Sequence, residues 1–289
     1  YDSANNEIET SNPQTINVDH TPPLITHTSL EEIQVNINYP VYATFSDGVP
    51  GEQSGIATGE LYYRRGGESD WPAIPVNIFS VSNYDIPSSD VTSAGLEYYI
   101  YSRDVAGNET FKPETGYYSI TVKIPDGLSS TDRLDWLGGI PNGSSQISYQ
   151  LWSFPGYPAS SSPVELLVDD MTDEAFDNTK WRAFAYAGSD AWTEFESISS
   201  LNIGESYFII IKDPGFSINT GLVYTITTSQ PKEINLTSGD WTFVGNPFNF
   251  TIPLTQLYTT DTTTLFGDQN LYTYDGAWKN ASSLEPWKG

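Results

Sequence analysis

The chain has 289 residues, no cysteine, and 37 Asp and Glu against 12 Lys and Arg, for a net charge of −25. That balance excludes nucleic acid, which requires a basic face, and membrane insertion, since no apolar run approaches the roughly 20 residues that span a bilayer. Missing cysteines exclude disulfides, thiolate metal sites and cysteine nucleophiles.

Length predicts two or three domains of about 100 residues each. An aromatic share of 14%, with Ser, Thr, Asn, Gly and Pro punctuating the chain, predicts an all-β protein of short strands and turns. Residues 1–19 form a polar lead-in with two short alternations, Glu7-Ile8-Glu9 and Thr15-Ile16-Asn17-Val18-Asp19. Such a segment reads as a donor strand for a sheet elsewhere, or as a linker.

Residues 20–125 read as one sandwich. Strands are predicted at Ile33–Ile37, Val41–Phe45, Gly59–Arg64, Ile74–Phe79, Tyr84–Ile86, Leu96–Ser102 and Tyr117–Ile124. About seven short strands in about 100 residues is the immunoglobulin or fibronectin type III pattern. Phe45-Ser46-Asp47, Ser54-Gly55-Ile56, Leu61-Tyr62-Tyr63-Arg64, Gly95-Leu96-Glu97-Tyr98-Tyr99-Ile100 and Asp104-Val105-Ala106-Gly107-Asn108 resemble bacterial Ig-like or fibronectin-like modules of secreted surface proteins. The resemblance implies a β-sandwich and names no ligand.

Residues 126–150 read as a Gly/Ser/Asp-rich linker. Beyond it lies an internal repeat, with units at 151–236 and 237–289. Trp152-Ser153-Phe154-Pro155-Gly156 returns as Trp241-Thr242-Phe243-Val244-Gly245, and Phe184-Ala185-Tyr186…Trp192 returns as Tyr272-Thr273-Tyr274…Trp278. Leu201-Asn202-Ile203-Gly204 returns near Leu284–Gly289. The second unit is incomplete, lacking the strands its sister carries after Gly204. Gly245–Phe248, Tyr274–Trp278 and Leu284–Gly289 resemble the aromatic β-repeats of Bacteroidetes surface proteins, which implies type IX export and an extracellular location.

No nucleophile elbow, zinc-protease, phosphate-loop or dinucleotide motif occurs, and the two histidines, His20 and His27, read as surface residues on a strand edge. The chain is therefore expected to be non-catalytic. In the Ig-like topology Asp19, Asp47, Asp104 and Asn108 share one pole and form a candidate calcium site. Trp152, Trp181, Trp192, Trp241, Trp278 and Trp287 read as core, with a sugar-stacking platform as the alternative. Glycosylation motifs fall at Asn108, Asn142, Asn235, Asn249 and Asn280, about as often as chance gives, and at Ser3 and Thr262.

The expected function is a structural subunit of a bacterial surface fibre or layer. It would assemble with itself, head to tail, through strand addition by the segment holding Ile8, Ile16 and Val18 near Trp287. The alternatives are a glycan-binding adhesion module of a larger secreted protein and an accessory region of a secreted hydrolase.

Overall fold

A computed structural model describes residues 18–48, 53–73, 75–79, 83–130, 137–141, 146–171, 175–258 and 271–289. The fold is all-β. Its first part contains β1 (Leu24–His27), β2 (Glu32–Gln34), β3 (Tyr39–Ser46), β4 (Ile56–Arg65), β5 (Val76–Asn77), β6 (Asn83–Ile86), β7 (Leu96–Asp104), β8 (Glu109–Lys112) and β9 (Tyr118–Ile124). The alternation of the sequence predicts most of these. β1 and β8 are additional, and β5 is shorter than expected.

Strands β1-β3-β6 form one sheet, and β5-β4-β7-β9 lie in a larger one that also holds β8 and β2. The two sheets share one core. Period two drives it: Tyr39, Val41 and Ala43 point inward from β3, and Leu96, Tyr98 and Ile100 from β7. Tyr39 and Tyr98 meet across the sheets with ring centroids 5.5 Å apart.

His27 departs from the expected surface position. Its ring lies edge-on to Tyr98 and Tyr118, at 5.6 and 5.3 Å. Nδ1 is 2.6 Å from the Tyr42 carbonyl and Nε2 is 2.7 Å from the Tyr98 hydroxyl. The neutral ring satisfies both contacts by donating through Nδ1–H and accepting at Nε2.

The second part contains β10 (Gln150–Trp152), β11 (Tyr157–Pro158), a helical turn over 164–171, β12 (Trp181–Gly188), β13 (Ala191–Glu194), β14 (Tyr207–Ile211) and β15 (Val223–Tyr224). It ends with β16 (Ile252–Pro253), β17 (Tyr272–Tyr274), β18 (Trp278–Asn280) and β19 (Ser283–Leu284). β10-β14-β12-β13 form a four-stranded sheet over a core of Trp152, Trp181, Phe195, Leu201, Ile209 and Ile211.

The two parts are not joined by a free linker. β15 pairs with β9, and β11 with β15, so the larger sheet runs on into the second part. Leu128 and Ser130 are buried, and their main chain exchanges hydrogen bonds with Thr220 and Ile218. Burying those apolar and polar groups together requires partners for the peptide groups, and the 218–220 segment supplies them. At the far end of β4, Phe250 lies against the Gly66-Gly67 turn, where a Cβ on Gly67 would sit 2.3 Å from its ring.

The repeat has a different register from the one the tryptophans suggest. Ser153 N–H donates to Trp287 C=O (3.1 Å), and Gly245 N–H donates to Gly204 C=O (2.9 Å). Gly289 N–H donates to Leu151 C=O (3.4 Å), and Ser206 N–H donates to Phe243 C=O (3.2 Å). These pairs make Leu151 the counterpart of Phe243, and Gly204 the counterpart of Trp287. Both members of the latter pair have positive φ, +82° and +69°. The start of each unit thus pairs with the end of the other, about a pseudo-twofold axis. Ser153 packs on Gly245, and Ser206 on Gly289, at contacts that leave no room for a Cβ on either glycine. Main-chain pairing overrides the Trp152–Trp241 likeness because Trp152 is buried in its unit whereas Trp241 is 54% exposed.

Candidate metal centre

The inward stripe of β7 runs Leu96, Tyr98, Ile100, Ser102, Asp104, and that of β3 runs Tyr39, Val41, Ala43, Phe45 and on to Asp47. Alternation therefore carries an aspartate to the inner side of each facing sheet at the same pole. Antiparallel pairing of β1 with the end of β3, Leu24 opposite Ser46, brings the preceding Asp19 to that pole as well. Carboxylate oxygens of Asp19, Asp47 and Asp104 lie within 4.8 Å of one another.

Asp47 and Asp104 are buried, at 6% and 1% exposure. Each carboxylate is aimed by amides. Asp47 accepts from Gly55 N–H (2.6 Å), Asp19 from Thr21 and Ser54 N–H (2.9 and 2.7 Å), and Asp104 from Asn108 N–H (2.8 Å). The Thr21 and Ser54 amides hold the Asp19 carboxyl below the usual carboxylate range. Asp47 Oδ1 is buried and has no hydrogen-bond partner. None of the ion pairs among the described residues involves these three aspartates.

Asn108 is at the pole in a supporting role. Its Nδ2 donates to Asp104 Oδ2 (2.7 Å) and Asp19 C=O (3.3 Å), so it presents a donor to the cluster rather than a ligand oxygen. The same bonds engage the amide nitrogen that a glycan would need, which removes Asn108 as an acceptor site. Ser54 and Gly55 are components that the sequence reading did not assign to the cluster. The Ser-Gly step before β4 carried the signal, since Gly55 has φ +89° and its amide meets Asp47.

The other predicted residues are dispersed. Asn235 and Asn280 are exposed, whereas the Asn249 amide donates to Ser93 Oγ (2.8 Å). Val18 is 66% exposed beside the aspartate pole. Trp287 is 1% exposed, so its side chain is closed to a neighbouring molecule. Trp152 and Trp181 are buried, while Trp192, Trp241 and Trp278 are 43%, 54% and 48% exposed. Ile8, Ile16, Ser3, Asn142 and Thr262 lie outside the described residues. Among the described residues no helix is long and apolar enough to cross a membrane. No family profile and no curated protein sequence matches this chain.

Proposed function

We propose that the chain is a non-catalytic structural module of a bacterial cell-surface assembly, rigidified by calcium at the pole of its first sandwich. The observation that carries this reading is the buried, unpartnered Asp47 Oδ1 facing two further carboxylates. Three like charges this close oppose one another, and a buried acceptor without a donor costs about 1–3 kcal/mol. A cation relieves both. Oxygen-only ligands suit a hard ion, and calcium tolerates the irregular geometry of three carboxylates completed by water. The bound ion would tie β3, β7 and the chain entering β1 into one rigid end.

Calcium binds the folded pole alone, so it raises Tm. At 100 times its Kd the gain is about 2.7 kcal/mol, or several degrees for a chain of this size. Scanning calorimetry in calcium and in chelator measures it. Asp47→Asn should abolish the calcium-induced rise while leaving the calcium-free Tm equal or higher, because one repelling charge is gone. Equal Tm values for the unmodified chain in calcium and chelator would refute the site.

A further inference from the structure

The pseudo-twofold axis has a gap on one side. In the first unit β14 lies between β10 and β12, with Tyr207, Ile209 and Ile211 turned into the core. Its register sets Tyr207 opposite Trp152, and Ile209 opposite both Gln150 and Ala183. The counterpart position in the second unit lies between residues 242–244 and β17, and no described residue occupies it.

Both walls of that position are prepared. Phe243 and Gly245 turn their main-chain groups toward Gly204 and Ser206. Strand alternation therefore points those of Thr242 and Val244 the other way. They have no main-chain partner among the described residues. A groove of about 1500 Å³ opens there, with Thr242, Val244, Leu271, Tyr272, Ile252 and Leu284 in its walls. Exposed edge groups above an apolar floor accept one more strand.

The end of the molecule that could supply the strand is the opposite one. β4 starts beside Asp104 at the aspartate pole and ends ten residues later at the Gly66-Gly67 turn, on which Phe250 of the second unit packs. At about 3.3 Å per residue that is about 30 Å. The segment before Asp19 leaves at the aspartate pole, with Val18 66% exposed. Its Thr15-Ile16-Asn17-Val18 alternation spaces two apolar side chains as Ile209 and Ile211 are spaced in β14.

We infer that the groove between residues 242–244 and β17 is a strand-acceptor slot, filled by residues 14–18 of a second copy of the chain. The inference rests on the structural reading above and names the partner. Donor exit and acceptor slot are at opposite ends, so the contact is heterologous and propagates head to tail. A calcium ion on Asp19 would fix the point where the donor leaves.

Sedimentation velocity over a range of concentrations tests it, in saturating calcium and in chelator, on the full chain and on the chain lacking residues 1–18. The full chain should grow past a dimer as concentration rises, and the shortened chain should stay monomeric. A peptide of residues 206–212, the sister strand, should cap growth. Ile16→Asp with Val18→Asp should abolish growth without unfolding, since Val18 is outside the core. Val244→Pro should do the same from the acceptor side. Growth that survives removal of residues 1–18 would overturn the donor. A full chain that stays monomeric yet takes up the peptide would give the slot to a strand from another source, and would also overturn the inference. Because Tm reports the calcium site separately, loss of assembly with an intact calcium-induced rise would leave the functional reading standing.

Discussion

The two repeat units are built from related sequence, yet they differ in what covers them. In the first, Trp181 is fully buried against Phe176 and Phe195, with ring centroids 4.8 and 4.6 Å away, beneath a four-stranded sheet. In the second, Trp241 and Trp278 stack at 5.7 Å and stay about half exposed, and β17-β18 and β16-β19 remain two-stranded. The difference traces to β14, whose five residues Tyr-Phe-Ile-Ile-Ile close one core and have no counterpart over the other. Aromatic content alone therefore does not make a core. An apolar ring contributes fully only when a strand removes it from water.

The largest expected effect sharpens this contrast. Trp181→Ala should cost about 3–5 kcal/mol, the range for deleting a buried large aromatic. Trp278→Ala, at a half-exposed position, should cost well under half of that. Urea unfolding of both variants measures the pair, and equal losses would mean that the second unit is as closed as the first.

A middle-sized effect concerns the seam between the units. Gly245→Ala places a Cβ 2.3 Å from Ser153 Cβ and 2.6 Å from the Glu205 carbonyl oxygen. Overpacking of this kind costs about 1–3 kcal/mol. Adding Ser153→Gly should recover part of the loss, because the nearer obstacle is then removed. A double variant no more stable than Gly245→Ala would show that the two residues do not meet on the axis.

The smallest effect distinguishes the first sandwich from the repeats, which contain no histidine. Burial depresses the His27 pKa below its ordinary value of 6.5, and the Tyr42 carbonyl only partly opposes this. A depressed pKa means that the folded state favours the neutral ring. The associated stability is present above about pH 6.5 and is lost as pH falls through the folded value. Hydrogen exchange of β1 and β3 amides should therefore quicken between pH 7 and pH 5.5, after correction for intrinsic rates, with less change in β12 and β14. His27→Gln should flatten that dependence, and a slope unchanged by the substitution would assign it elsewhere.

Local alternation made much of this protein legible from sequence. Period two in Tyr39–Asp47 and Leu96–Asp104 placed both strands, their inward residues and two of the three clustered aspartates, because side-chain direction along a strand depends only on neighbouring peptides. The absence of a basic surface and of thiol chemistry was equally plain from composition. Tertiary structure decided what distant segments do to one another. It turned residues 128–130 from linker into a strand-like partner of 218–220, moved the repeat register from Trp241 to Phe243, and buried Trp287. It also gave Asp47 an amide from Gly55 and left its other oxygen without one. Such pairings depend on which backbone edges remain open after the nearer strands have paired, and no local pattern in a single sequence records that.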